Sequence, residues 1–335
     1  MASSATYEPK ILRIMSDPKI SPVLYIVIPC YNEEKVLPIT VDLFLEQLNL
    51  LISKNKIADT SKIMFVNDGS RDNTWNIIKD LAAKNPQILG ITLSRNRGHQ
   101  NALLAGLMEA KTYADITISI DCDGQDDITV MENMVDEYHN GNEIVYGVRN
   151  NRDTDTFFKK FTAESFYKLL SVMGCEVVFN HADNRLISSK VLNELANFKE
   201  VNLFLRGLIP LLGFKSTKVF YKRNERMAGD SHYPLKKMLS FSIDGITSLS
   251  VKPIMYISMS GLVISLIGFL GILYALISFA FGTTISGWTS VLCLICFLGG
   301  FQILSIGVIG TYIGKIYLET KRRPRFIVSE RTFEK

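Results

Sequence analysis

From Pro253 to Gly314 the chain carries no Asp, Glu, Lys, Arg or His. Two apolar runs fill that interval, 253–281 and 288–314, and the break between them is the short uncharged stretch "GTTISGW". Each run exceeds the ~20 residues that a helix needs to cross a bilayer. Within hydrocarbon every backbone polar group must be satisfied inside its own segment, which selects helices. The pattern therefore predicts a transmembrane helical hairpin. The rival, a pair of buried helices in a soluble core, would need an equally large apolar partner surface.

The flanks set an orientation. Lys252 precedes the first run, and Lys315, Lys321, Arg322, Arg323 and Arg325 follow the second. The connecting turn has no positive charge, so both flanks are expected on the cytoplasmic side. Residues 1–22 are polar and lack the apolar core of a cleaved signal peptide. Residues 1–252 and both termini are thus expected in the cytoplasm. A net charge of +4 gives no reason to expect nucleic-acid binding. Five cysteines with no C-x-x-C pair fit a reducing compartment and argue against a zinc site.

Before the hairpin, apolar β-rich runs alternate with helical patterns. Strands are expected at 24–28, 63–66, 90–93, 116–120 and 143–147, with helices near 36–52, 74–84, 102–111 and 130–139. Such alternation predicts a doubly wound α/β sheet, mostly parallel, and near-continuous apolar strands fit a sheet covered on both faces. After Asn150 the pattern loosens into a helical stripe of Phe158, Phe161, Phe166, Leu169 and Met173. A second stripe, Leu235, Met238, Leu239, Ile246 and Leu249, carries Lys236 and Lys237 and fits an amphipathic helix in the membrane interface. The division expected is an extension at 1–22, the α/β domain at 23–230, a juxtamembrane helix at 231–252, two spans within 253–315 and a cytoplasmic tail at 316–335.

Ligands of open α/β sheets sit outside the carboxyl ends of the strands. Three polar clusters fall there: Pro29-Cys30-Tyr31-Asn32-Glu33, Asn67-Asp68-Gly69-Ser70, and "DCDGQDD" at 121–127. Each has a plainer reading. Asn32 could cap the next helix, 67–70 is a good tight turn, and Asp127 could cap the helix at Val130. All three falling on one sheet edge favours a site. Four aspartates in seven positions repel one another unless something cationic sits among them. Asp121 and Asp123, two apart on extended chain, can face one side and offer hard oxygen donors to Mg²⁺ or Mn²⁺, which commonly bind substrate phosphates as well.

The stretches "IPCYNEEKVLP", "FVNDGSRDNT", "SRNRGHQNALLAGL", "DCDGQDD", "YGVRNNRDTDTFFKKFTAESFYKLL" and "ERMAGDSHYPLKKMLSFSIDGITSLSVKP" resemble glycosyltransferase family 2. Within it they are most similar to the polyprenyl-phosphate glycosyltransferases of bactoprenol glucosyltransferase type and more distantly to dolichyl-phosphate mannose synthases. The likeness runs from about Val23 to Arg323. It implies a GT-A domain of Rossmann-like character followed by two spans. It also implies site roles. Pro29, Tyr31, Asn32 and Glu33 would line a nucleotide pocket, and Asp68 would contact the base. Asp121, Asp123 and Gln125 would hold the metal and diphosphate. Arg149 and Lys159 or Lys160 would meet phosphates. Arg226 and Ser231 of R-x-x-G-x-S, with Lys236 and Lys237, would serve the acceptor. Asp183 and Arg185 match the family's D-F-R-L element near the reaction centre, Asp183 acting either as a base or as an orienting group. Three departures stand out: Asn67 for the commoner Asp, no proline after the acidic motif, and Asn184 where Phe is usual.

The reaction so implied is inverting transfer of a sugar from a nucleotide donor to polyprenyl phosphate at the membrane, for a cell-envelope glycan. UDP-glucose is the favoured donor, with UDP-N-acetylglucosamine and GDP-mannose as alternatives. A processive polysaccharide synthase would carry Q-x-x-R-W and more spans, but the only tryptophans are Trp75 and Trp288, outside any such motif. A non-catalytic nucleotide-sugar-binding subunit would be expected to have lost the acidic cluster. Gly299, Gly300, Gly307, Gly310 and Gly314 offer small-residue faces for helix packing, including contacts in a homo-oligomer.

Overall fold

The computed structural model describes residues 21–149, 173, 181–222, 245–248, 250–281 and 287–334. Its centre is an eight-stranded sheet: β1 (Leu24–Cys30), β2 (Lys62–Asn67), β3 (Ile88–Leu93), β4 (Ile116–Ser119), β5 (Ile144–Arg149), β6 (His181–Ser188), β7 (Ser216–Tyr221) and β8 (Val328–Arg331). The order across the sheet is β7-β5-β6-β4-β1-β2-β3-β8. Only β6 and β8 run against their neighbours, so the mostly parallel α/β sheet read from the sequence is the fold. The five predicted strands are present, within two residues at each end. Beyond them the sheet gains β6, β7 and β8.

Helices α1 (Leu37–Ser53), α2 (Thr74–Lys84), α3 (His99–Ala110) and α4 (Val130–His139) alternate with the strands. Two short helices follow, α5 (Ser189–Leu195) and α6 (Leu205–Leu211). Pleating sends successive side chains to opposite faces, and β1 shows the consequence. Leu24, Ile26 and Ile28 enter one core with Leu37, Phe44 and Leu48 of α1 and Met131 and Met134 of α4. Tyr25 and Val27 enter the other with Leu103, Leu104 and Leu107 of α3 and Leu192 of α5. All seven residues of β1 are buried. A large apolar side chain so placed contributes roughly 1.5–3 kcal/mol, so both cores pin the strand in register. Pro29, lacking an N–H, falls beyond Val27, where pairing with β4 ends.

The apolar interval forms α7 (Lys252–Ala280) and α8 (Trp288–Thr320). Both contain a stretch long and apolar enough to cross a membrane, and almost none of that surface is covered by protein. Leu262, Leu266 and Leu270 on α7, and Ile303, Ile306 and Ile313 on α8, are all more than half exposed. A helix that is apolar all round and uncovered calls for an apolar solvent. Of the juxtamembrane amphipathic segment, only 245–248 and 250–252 are described. The tail beyond α8 docks on the α/β domain. There β8 covers the free edge of β3, Arg331 holds Glu109 through Nε and Nη2 at 2.9 and 3.0 Å, and Trp75 Nε1 donates to Glu330 at 2.9 Å.

Candidate active site

β1 pairs with β2 on one side and with β4 on the other, so the crevice that opens at such a branch lies above the carboxyl ends of β1 and β4. The three polar clusters meet there. The β1–α1 loop is stapled to the β2–α2 loop: Asn32 N donates to Ser70 Oγ, Arg71 N to Asn32 Oδ1, Glu33 N to Thr74 Oγ1, and Asn73 N to Glu34 Oε2, all at 2.9–3.1 Å. Asn32 holds φ at 58°, a conformation that asparagine tolerates well. It therefore builds the loop rather than capping α1, whose first turn instead contains Pro38. Tyr31 stands 41% exposed at the rim.

Asp68 is buried, and its two oxygens accept from Arg97 N at 2.7 Å and Gly98 N at 2.9 Å. Burial raises its pKa, and these two amides work against that rise. Asp68 thus shapes the β3–α3 loop that forms one wall of the crevice. Asn67, in place of the commoner Asp, donates to Thr92 Oγ1 at 2.8 Å and accepts from Ser70 N at 3.2 Å.

The four aspartates of "DCDGQDD" do separate jobs. Cys122 points into the core beside Cys30 and Thr40, which leaves Asp121 and Asp123, both partly exposed, for the opposite side. Asp123 Oδ1 accepts from Gln125 N at 3.1 Å, closing a turn in which Gly124 takes φ 68°. Asp126 is buried and accepts from Tyr221 Oη at 2.7 Å and from Arg149 Nη2 at 3.0 Å. It ties the acidic loop to the ends of β5 and β7. Asp127 accepts from Thr129 N at 2.9 Å, closing the turn that leads into α4.

Asp121 Oδ1 is buried without a hydrogen-bond donor among the described residues. Desolvation, with Asp183, Asp126 and Asp123 nearby, raises its pKa to about 6 against the opposing pull of His99. Among the described residues no three His, Cys, Asp or Glu side chains converge into a metal cage. A carboxylate pair with an orphaned oxygen is nevertheless a donor set that suits Mg²⁺ or Mn²⁺, which leave most positions to water and substrate oxygens. Asp121 and Asp123 lie two apart in this loop, and the backbone N of Gln125 closes its turn on Asp123.

Beside this pair lies a cluster centred on Asp183. Its carboxylate contacts Arg185 Nη2, accepts from Arg206 Nε and Nη2 at 3.2 and 3.0 Å, and lies 3.4 Å from His99 Nε2, which is itself 3.5 Å from Asp121. Burial alone would raise the pKa of Asp183, but Arg206, His99 and Arg185 hold it well below the usual carboxylate range. The pKa of His99 goes up to about 9: desolvation disfavours its charge, and Asp183 and Asp121 outweigh that. Arg185 is fully buried, and its Nε and Nη1 have no hydrogen-bond partner among the described residues. Backbone register explains the placement, since Arg185 pairs with Ser119 of β4 and Tyr146 of β5, and Ser119 Oγ donates to the Asp183 carbonyl at 2.5 Å.

Of the residues expected at the site, Pro29, Tyr31, Asn32, Glu33, Asp68, Asp121, Asp123, Gln125, Asp183 and Arg185 lie along this edge of the sheet. Arg149 reaches its base through Asp126. Lys159, Lys160, Arg226, Ser231, Lys236 and Lys237 lie outside the described residues. His99 and Arg206 were not singled out. His99 lies in the quoted stretch "SRNRGHQ", at the strand-to-helix junction where ligands gather, while Arg206 follows the apolar "NLFL" with no local signal.

Comparison with known proteins points to one family. Residues 25–196, just over half of the chain, match the model of glycosyl transferase family 2. The chain is 49% identical over 307 residues to an uncharacterized glycosyltransferase, YkoT, of Bacillus subtilis, covering 92% of this chain and 91% of that protein. It is 37% identical to a prophage bactoprenol glucosyl transferase homolog of Escherichia coli, covering 90% of this chain and 97% of the relative. Against the bactoprenol glucosyl transferase of Shigella phage SfX the identity is 38%, over 91% and 98%. The chain belongs to glycosyl transferase family 2.

Proposed function

We propose that the protein transfers a sugar from a nucleotide donor to the phosphate of a membrane polyprenol, with inversion at the anomeric carbon. The observation that carries this reading is the juxtaposition of Asp121, whose Oδ1 has no hydrogen-bond donor among the described residues, with His99 and with the Arg185 and Arg206 guanidiniums gathered on Asp183. That juxtaposition stands on a domain joined to two uncovered apolar helices. The likeness to bactoprenol glucosyl transferases over nine-tenths of the chain supports a polyprenyl-phosphate acceptor and favours glucose from UDP-glucose. N-acetylglucosamine and mannose donors are the alternatives.

A phosphate monoester is largely ionised near neutral pH, so the acceptor needs no strong base. Asp183 suits an orienting role: three cationic side chains keep it ionised and weakly basic. Its work is to hold Arg206 and His99 where negative charge collects as the sugar changes partners. Pro29, Tyr31, Asn32, Glu33 and Asp68 would bind the nucleoside. Arg149, Lys159 and Lys160 would bind phosphates, and Arg226, Ser231, Lys236 and Lys237 would bind the acceptor. A divalent ion on Asp121, Asp123 and Gln125 would neutralise the departing diphosphate. The basic flanks of the hairpin favour a cytoplasmic domain and cytoplasmic termini, the side on which a soluble nucleotide sugar meets the lipid.

The test is a transfer assay with purified protein, labelled nucleotide sugars and polyprenyl phosphate, with and without Mg²⁺ or Mn²⁺. Formation of a lipid-linked sugar from one donor is expected. Tight nucleotide-sugar binding with no transfer from any donor would instead indicate a non-catalytic binding subunit.

A further inference from the structure

Helix α8 does not end where its apolar run ends. At 33 residues and ~1.5 Å per residue it spans about 50 Å, well beyond a hydrocarbon layer of ~30 Å. Its final turn carries Glu319, and that carboxylate accepts four hydrogen bonds from two residues of the α5–α6 loop. Val201 N donates at 2.8 and 2.9 Å, Asn202 N at 2.8 Å and Asn202 Nδ2 at 3.0 Å. Arg325 reaches the neighbouring Glu200 carbonyl at 3.5 Å. Backbone amides gathered on a carboxylate make a strong, directional clamp.

The clamped loop leads directly into α6. Phe204 is buried, and Leu205 N donates to Gln100 Oε1 at 2.9 Å, the residue after His99. The next residue, Arg206, holds Asp183. Only three residues, Leu203 to Leu205, therefore separate the loop end gripped by the membrane helix from the guanidinium at the reaction centre. A second branch, through Gln100, reaches the other cation of the cluster.

The geometry points to Glu319 as a positioning residue that sets the height of Arg206 and His99 relative to the membrane surface, so that the cluster meets a phosphate presented by a lipid. This rests on the proposed polyprenyl-phosphate acceptor. A transmembrane helix that merely anchored the domain would need no such grip on the loop that carries a site residue.

The experiment uses the full chain in lipid nanodiscs. Glu319→Ala is compared with wild type on two acceptors, a long-chain polyprenyl phosphate embedded in the disc and a short, water-soluble prenyl phosphate. A misplacement of about 1 Å can cost ~10²-fold in rate. Glu319→Ala is expected to lower kcat on the embedded acceptor by roughly ten- to a hundredfold, and to change rates on the soluble acceptor and nucleotide affinity much less. Glu319→Gln, which keeps one acceptor oxygen, should recover part of the loss. In parallel, hydrogen exchange should show faster exchange extending from 201–202 into α6 of Glu319→Ala. Equal losses on both acceptors, or exchange confined to 201–202, would overturn the inference. If wild type uses neither acceptor, the functional reading fails, while the exchange measurement still decides whether Glu319 orders α6.

Discussion

Arg206 grips both carboxylate oxygens of Asp183, Nε to Oδ1 at 3.2 Å and Nη2 to Oδ2 at 3.0 Å, while Arg185, with no exposed side-chain surface, holds the same carboxylate from β6 itself. One acid thus balances two guanidiniums, one buried and one facing the crevice. Removing one partner of a buried pair costs about 3–5 kcal/mol because the other charge is stranded. Asp183→Asn is expected to lower the unfolding midpoint by that measure, whereas Arg206→Ala, at a side chain 28% exposed, should spare folding and cripple transfer. The pH dependence has a definite sign. The native pKa of Asp183 lies below its ordinary value, so its stabilisation is complete above about pH 5 and is lost as pH falls through the lower native value. Unfolding curves should keep a constant gap between wild type and Asp183→Asn above about pH 5 and converge only in strong acid.

The parallel half of the fold was legible because β1 to β4 are apolar runs bounded by turn residues, and their carboxyl ends announce the site. The Asp183 strand was not. "HADNRLIS" reads as polar and β-poor, yet Arg185 lies buried in it because Asp183 supplies its counter-charge two residues away. Local propensity cannot register a compensation made in three dimensions. β8 was hidden for a related reason: its residues Ser329, Glu330 and Arg331 look solvated until Thr92, Trp75 and Glu109 are brought beside them by the fold. Arg206 was missed because its meaning lies in a partner on another element. The acidic motif was visible as a cluster, but the division between Asp121 and Asp123 at the site and Asp126 beneath it required the positions of Arg149 and Tyr221.

Gly69 tests how tightly the crevice wall proposed to bind the nucleotide is built. It sits at φ 63°, and a Cβ there would lie 2.5 Å from the Arg95 carbonyl carbon. Both backbone strain and a clash with rigid main chain oppose any side chain. Gly69→Ala should push the β2–α2 turn off the β3–α3 loop and disturb the amides that Asp68 accepts from Arg97 and Gly98. Nucleotide affinity measured by calorimetry is expected to fall at least tenfold, together with a stability loss of about 1–3 kcal/mol. Unchanged affinity would place the nucleotide away from this wall.

Asn184 is fully buried, and among the described residues neither its Oδ1 nor its Nδ2 has a hydrogen-bond partner. An unsatisfied buried polar group costs about 1–3 kcal/mol. Leucine is close in shape and removes both polar atoms. Asn184→Leu is therefore expected to raise the thermal midpoint and leave transfer intact, since the side chain points away from Asp183 on the pleat. A lowered midpoint would mean that the amide is satisfied in solution by ordered water.

Asp121 and Asp123 are where the proposed metal dependence is tested. Both are partly exposed, and the buried ties of the loop fall to Asp126 while Asp123 closes a local turn, so Asp123→Ala and Asp121→Ala should fold and insert in membranes normally. Transfer should be nearly abolished in each. In wild type, EDTA should stop the reaction, and Mg²⁺ or Mn²⁺ should restore it in proportion to occupancy. Binding of Mn²⁺ by the protein with nucleoside diphosphate present, followed by paramagnetic resonance, should be lost in both variants and retained in Asp127→Ala, whose carboxylate serves only the turn at Thr129. The comparison separates a specific ion site from a diffuse acidic patch: a patch would weaken by a similar amount whichever of the three aspartates is removed, whereas a coordinating pair fails only when one of its own oxygens is taken away.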